Sequence, residues 1–120
     1  MCKTIFHLDD DADDRGAVKM ILEKEDYIVK SFENSNELFD SMTETHPDLV
    51  ILDVMLEEHD SGLKLHDRIL KKYPKINMIL LTALGKMVST YFKNQSAHVW
   101  VVEKPILPRN LISAVQLNLR

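Results

Sequence analysis

Four short apolar segments of the chain lead into side chains that could take part in chemistry. These are Asp9, Asp10 and Asp11 after the first segment, Asp53 after the second, Thr82 after the third and Lys104 after the fourth. Carboxylates that meet at one place repel one another and raise one another's pKa unless a cation lies between them. Mg²⁺ suits such a place because it takes oxygen ligands and keeps several waters. A carboxylate, a hard cation, a lysine and a hydroxyl together indicate a phosphoryl site, in which an aspartyl phosphate can form.

The predicted secondary structure explains how residues so far apart in sequence can meet. Apolar runs predict strands at residues 5–8, 27–32, 49–53, 78–81 and 99–102. Helical spacing predicts helices at residues 12–25, 34–42, 61–72 and 85–95 and from Pro108 onward. This alternation predicts an α/β fold with five helices, in which a parallel sheet is covered on both faces. Right-handed crossovers then place the carboxyl ends of all five strands at one edge, where ligands bind in such sheets.

Composition limits the class of protein. A chain of 120 residues is long enough for one domain, residues 1–120, and 45% apolar with 28% charged residues is ordinary for a soluble globular protein. The net charge of −4 argues against direct nucleic-acid binding. Cys2 is the single cysteine, so no intramolecular disulfide can form. No apolar stretch of about 18 residues and no signal peptide are recognised, so we expect a cytoplasmic protein without membrane contact.

Four sequence blocks resemble the signature motifs of the receiver domain of bacterial two-component response regulators, the CheY-like superfamily. The blocks are Leu8-Asp9-Asp10-Asp11, Pro47-Asp48-Leu49-Val50-Ile51-Leu52-Asp53-Val54-Met55, Leu81-Thr82-Ala83 and Glu103-Lys104-Pro105-Ile106. They occur in the order and at the spacing of that family, over the whole length of the chain. The resemblance implies a flavodoxin-like, doubly wound sheet with strand order 2-1-3-4-5.

The resemblance also implies a phosphoacceptor and a metal site. Asp53 matches the aspartate that accepts a phosphoryl group from a sensor histidine kinase or a histidine phosphotransfer protein. Asp10 matches a direct Mg²⁺ ligand, and Asp9 matches its neighbour, which acts largely through water. Met55 matches the position whose backbone carbonyl completes the metal shell.

Two further residues match the parts of the family that respond to phosphorylation. Thr82 matches the switch hydroxyl, and Lys104 matches the lysine that pairs with the phosphoryl group. The Lys104–Pro105 peptide bond is expected to be cis. The resemblance therefore implies a phosphorylation-controlled switch that changes its binding to a downstream protein or to an output domain outside this sequence. It implies no enzyme activity beyond self-phosphorylation and slow self-dephosphorylation.

The slow dephosphorylation is inferred from two positions. Met55 and Leu84 lie two residues after Asp53 and Thr82, respectively. Both side chains are apolar and cannot orient an attacking water by hydrogen bonding. We therefore expect a long-lived phosphoryl group.

Three departures from the family pattern concern the loops and the switch. Glu57 stands where a proline is usual, and the loop before Gly62 is one residue longer. Val101 stands where the family often has an aromatic residue, with Trp100 one position earlier. Because neighbouring strand residues face opposite ways, we predict that Trp100 does not replace the missing aromatic.

Two alternatives remain at this point. A Mg²⁺-dependent phosphohydrolase of the haloacid-dehalogenase kind would use Asp9 and Asp11, although Asp13 stands where that family has Thr or Val. A receiver that is never phosphorylated and serves as a scaffold is disfavoured by the intact aspartates, threonine and lysine. Of the histidines, we predict His7 to be a core residue rather than a ligand. The others, His46, His59, His66 and His98, are predicted to lie on the surface.

Overall fold

A computed structural model describes residues 2–53, 61–83 and 100–119. Within them, five parallel strands form one sheet in the order β2-β1-β3-β4-β5, as predicted. The strands are β1 (Thr4–Leu8), β2 (Ile28–Phe32), β3 (Leu49–Asp53), β4 (Asn77–Thr82) and β5 (Trp100–Glu103). The doubly wound α/β fold class is therefore confirmed.

Four helices are described, and we number them in chain order. They are α1 (Ala12–Glu23), α2 (Ser35–Glu44), α3 (Ser61–Lys72) and α4 (Pro108–Asn118). The helix predicted at residues 85–95 falls outside the described residues, so the expected total of five stays a prediction. None of the helices in the described ranges is both long and apolar enough to cross a membrane.

The alternation of side chains along the strands divides the core into two layers. Phe6, Val50 and Leu52 pack on one face of the sheet with residues of α2 and α3. Ile5 and Ile51 pack on the other face with residues of α1 and α4. Continuing the same alternation by four residues from Ile5 and by two residues from Ile51 brings position 9 and position 53 onto the α1 and α4 face. The strand register therefore decides which helices can contribute to the site.

The start of α1 is fixed by an aspartate next to the site. The Asp11 side chain accepts hydrogen bonds from the backbone N–H groups of Asp13 and Asp14, at 2.8 Å and 3.1 Å. Such a cap satisfies backbone donors that have no partner within the helix. As a result, the first turn of α1 is held directly after Asp9 and Asp10.

Among the histidines within the described residues, one differs from its prediction. His66 was expected on the surface, but only 2% of it is exposed. It precedes Ile69 by three residues on α3, and Ile69 is fully buried, so both lie on the inward side of the helix. His7 is fully buried in β1, which confirms its prediction as a core residue.

Candidate functional site

The carboxyl ends of β1, β3, β4 and β5 meet at one edge of the sheet. Asp53 ends β3 opposite Leu81, the residue before Thr82. Thr82 in turn lies opposite Glu103, and its backbone carbonyl accepts a hydrogen bond from the backbone N–H of Lys104 at 2.8 Å. The pairing of three adjacent strands thus brings the predicted acceptor, threonine and lysine to the same edge.

Within the described part of the chain, Asp9 is the most deeply buried carboxylate of this edge, with 1% of the residue exposed. One oxygen, Oδ1, accepts from the backbone N–H of Asp11 at 2.9 Å. The other, Oδ2, lies 3.4 Å from Lys104 Nζ. The Arg15 guanidinium donates to the backbone carbonyl of Asp9 at 2.7 Å, so both backbone and side chain are held in place.

Lys104 is shared by three carboxylates. Its ammonium nitrogen lies 2.8 Å from Asp53 Oδ1 and 2.7 Å from Asp14 Oδ2, in addition to the longer contact with Asp9. The Lys104 and Asp53 side chains are 19% and 8% exposed, which makes this pairing substantially shielded from solvent. An ammonium group has three N–H donors, so it can satisfy all three carboxylates at once.

Three of the aspartates are placed to hold a metal ion. Asp9, Asp10 and Asp53 each offer a carboxylate oxygen, and these oxygens lie within 4.8 Å of one another. All three donors are hard oxygens, and Asp10 is exposed while Asp9 is buried, so water can reach the cluster from one side. This donor set fits Mg²⁺, which binds through a few carboxylates and retains water ligands.

The electrostatic environment shifts the pKa values of Asp9 and Asp53 in opposite directions. Burial would raise the pKa of Asp9, but the nearby His7 ring, the backbone N–H of Asp11 and the Lys104 charge together lower that pKa. For Asp53, burial and the negative charges of Asp9 and Asp10 raise the pKa, and the contact with Lys104 offsets this only in part. Burial of Lys104 opposes its charge, yet the neighbouring carboxylates raise the pKa of Lys104. The lysine is therefore a fixed cation at neutral pH.

These environments predict that Asp53 destabilises the metal-free protein at neutral pH. Because folding raises the pKa of Asp53, its favourable contribution exists below the ordinary carboxyl pKa and is lost as the pH rises through the folded value. Asp53→Asn should therefore increase the free energy of unfolding at pH 7 in EDTA, measured by urea denaturation. The gain should shrink as the pH falls through the pKa of folded Asp53.

The exposed Asp40→Asn change supplies the control, since it removes one charge from α2 away from the site. It should leave the free energy of unfolding nearly constant. If the wild type proved more stable than Asp53→Asn at pH 7, the raised pKa of Asp53 would be wrong.

Some of the remaining predictions about the site can be compared with the structure, and others concern residues outside the described ranges. The Lys104–Pro105 peptide bond is cis, as the resemblance implied. Trp100 is 43% exposed, whereas Val101 packs against the α2 and α3 layer, so the two residues do face opposite ways. Met55, Glu57 and Leu84 lie outside the described residues, and their roles stay predictions.

Sequence reasoning missed two neighbours of the site. Asp14 was not among the predicted site residues, but it makes the shortest contact to Lys104 among the described residues. His7 was predicted to be core without a role, but its Nε2 lies 3.6 Å from Asp9 Oδ2. For His7 a signal existed, because it precedes Asp9 by two residues on a strand and so shares its face.

Comparison with known proteins agrees with this architecture. Residues 5–116 match the family of response regulator receiver domains. A response regulator from Thermotoga maritima has a similar structure, with a TM-score of 0.86 and 26% identity over 99% of this chain and 98% of that one. The beryllofluoride-activated DrrB receiver domain is similar with a TM-score of 0.80 and 29% identity, covering 99% and 98% of the two chains.

A third similar structure is part of a longer protein. NtrX from Brucella abortus, in complex with ATP, matches 99% of this chain with a TM-score of 0.85 and 26% identity, but only 27% of that chain is covered. The family match spans nearly all of the sequence, and the sheet order and the cluster of aspartates agree with it. The family match favours a receiver domain over the phosphohydrolase alternative. The chain belongs to the family of response regulator receiver domains.

Proposed function

We propose that Asp53 is the phosphoacceptor of this receiver domain. Receiver domains are phosphorylation-controlled signalling switches rather than enzymes, and they work with histidine kinases and downstream effectors. The observation that carries the assignment is the pairing of Asp53 Oδ1 with Lys104 Nζ at 2.8 Å, beside two further aspartates that suit a metal. Within that group, Asp53 is the residue that itself ends a central strand, β3.

The proposed reaction transfers a phosphoryl group without an added oxidant or reductant. A carboxylate oxygen of Asp53 attacks phosphorus. The bond from phosphorus to the donor atom breaks, and its electron pair leaves with the donor, which is a phosphohistidine nitrogen or an acyl oxygen. Lys104 stays near the oxygen that gains charge, and that position stabilises the group in transit.

Asp9, Asp10 and Asp53 would hold Mg²⁺, with the Met55 backbone carbonyl as a further predicted ligand. The metal would supply positive charge that stabilises the phosphoryl oxygens. Asp9 is held by the backbone N–H of Asp11 and keeps its charge because its pKa is lowered. We propose that Asp10, which is exposed, is the direct ligand and that Asp9 acts largely through water.

The proposed switch starts from the charge that phosphorylation adds, close to two negative charges at neutral pH. Lys104 already lies beside Asp53, and its backbone N–H donates a hydrogen bond to the Thr82 carbonyl. We therefore expect Lys104 and Thr82 to respond together to a change at Asp53. Thr82 is proposed as the hydroxyl that moves toward the phosphoryl group. Val101 replaces the usual aromatic, so the signal is not expected to pass through rotation of a ring.

The proposed partners are a sensor histidine kinase or a histidine phosphotransfer protein, and a downstream protein target or output domain. The match covers 27% of the NtrX chain, so a fold of this kind can occur as one part of a longer protein. A cytoplasmic location and a slow loss of the phosphoryl group stay predictions from the sequence.

The proposal predicts labelling by a small phosphodonor. Acetyl phosphate with Mg²⁺ should add one phosphoryl group per chain, seen by intact-mass measurement and lost in hydroxylamine, which cleaves acyl phosphates. EDTA should prevent the addition, because the single Lys104 ammonium cannot balance the charges of the three clustered carboxylates and of an incoming anion. Equal labelling in EDTA and in Mg²⁺ would exclude the metal role, and an adduct stable to hydroxylamine would exclude an acyl phosphate.

A further inference from the structure

We propose that Asp14 is a positioning residue that holds the Lys104 ammonium at the rim of the site and so leaves Asp9 and Asp53 available to a divalent cation. This inference rests on the proposed function of the aspartate cluster. The shortest ion pair of the site, among the residues that the structure describes, joins Lys104 Nζ and Asp14 Oδ2 at 2.7 Å. The contacts from Nζ to Asp53 and Asp9 are longer, at 2.8 Å and 3.4 Å.

The position of Asp14 results from the fold of the first turn of α1. The Asp11 side chain already caps the helix by accepting from the Asp14 backbone N–H, so the Asp14 carboxylate is not needed as a cap. Because α1 covers the face of the sheet on which Asp9 and Asp53 lie, its first turn borders the site. The Asp14 side chain is 31% exposed, compared with 8% for Asp53 and 0% for Asp9, so it is the most solvent-accessible of these three partners of Lys104.

The metal and the lysine draw on partly different sets of carboxylates. Asp9 and Asp53 belong to the group of oxygens that can hold a metal, and Asp14 does not. Among the described residues, these two and Asp14 are the carboxylates in contact with Lys104. Without Asp14, the ammonium would be left with the two carboxylates that the cation also needs. Asp14 therefore lets lysine and metal share the site, since each keeps an anion of its own.

The test is calorimetric titration of the metal-free protein with Mg²⁺, which does not depend on phosphorylation. Asp14→Asn should weaken Mg²⁺ binding by about three- to tenfold more than Asp13→Asn, the size of a typical net hydrogen bond at a partly exposed site. Asp13 is the matched control because it is exposed, adjacent in the same turn and carries the same charge. If the two variants bound Mg²⁺ equally, or if Asp14→Asn bound it more tightly, the proposal would be overturned.

The same pair of variants in a Lys104→Met background shows whether Asp14 acts through the lysine. With no ammonium to position, Asp14→Asn and Asp13→Asn should weaken Mg²⁺ binding to the same extent. An excess effect of Asp14→Asn that persists without Lys104 would mean direct attraction of the cation, which overturns the positioning role.

Labelling by acetyl phosphate separates this inference from the function on which it rests. If the wild type is not labelled but the Asp14 effect on Mg²⁺ binding depends on Lys104, the proposed function fails and the positioning role stands. If the wild type is labelled and the Asp14 effect is absent, only the positioning role fails.

Discussion

Asp53→Asn is expected to abolish labelling of the protein by acetyl phosphate in the presence of Mg²⁺. The amide has nearly the shape of the carboxylate, but its oxygen is a far weaker nucleophile and it supplies no charge to the metal. The variant should stay folded, because the asparagine oxygen can still accept a hydrogen bond from Lys104 Nζ, which lies 2.8 Å from Asp53 Oδ1. Intact-mass measurement would follow the added phosphoryl group over time.

Asp48→Asn is the matched control for this experiment. Asp48 directly precedes the same strand and accepts a hydrogen bond from the Thr4 backbone N–H at 2.8 Å, at the opposite end of β3 from Asp53. Its labelling should equal that of the wild type. Undiminished labelling of Asp53→Asn would contradict the assignment of Asp53 as the phosphoacceptor. Peptide mapping would then show which carboxylate carries the phosphoryl group. Label on Asp9 would revive the phosphohydrolase arrangement.

The fold was predictable because the buried strands differ so clearly from their surroundings. The run Leu49–Asp53 is buried on both faces until its last residue, which only a strand between two helical layers requires. Such a strand is visible in the sequence as consecutive apolar residues that end at a polar one. The position of Asp53 at the edge of the sheet followed from topology alone, since parallel strands end together.

The contacts within the site were less predictable, because they depend on how far side chains reach between elements. Asp14 lies in the first turn of a helix, where acids are common for the sake of the helix dipole alone. Nothing in its spacing reveals that Lys104, 90 residues later, lies 2.7 Å away. His66 shows the same limit, because a polar residue on an apolar helix stripe resembles a surface residue until the packing is known.

Lys104→Met is expected to slow labelling by acetyl phosphate by roughly 100-fold, the usual effect of losing one preorganised charge beside a transferring group. The methionine keeps most of the length of the lysine stem but has no ammonium. Asp9, Asp14 and Asp53 then lose their shared cation, which lies within 3.4 Å of all three carboxylates. The labelling rate should be measured under saturating Mg²⁺, so that weaker metal binding is not mistaken for slower transfer.

The same variant should lose stability as well, because Asp9 is buried and its Oδ2 loses the ammonium. We expect a decrease of about 1–3 kcal/mol in the free energy of unfolding at pH 7 in EDTA. The pKa of Lys104 is raised by folding, so this contribution is complete at neutral pH and is lost only above the ordinary lysine range. Mg²⁺ should restore part of the loss by supplying positive charge to the same carboxylates.

Lys71→Met on the last turn of α3 controls for the loss of one positive charge from an exposed position. It should change neither the labelling rate nor the stability by more than a surface substitution does. If Lys104→Met labelled as fast as Lys71→Met while folded, the lysine would be a structural partner of Asp9 and Asp14 alone. For Lys104→Met, we expect Mg²⁺ to restore part of the stability but not the labelling rate. This result would separate two roles of the lysine. The metal can replace it as a counter-ion of the carboxylates, but not as the cation that contacts the phosphoryl oxygens.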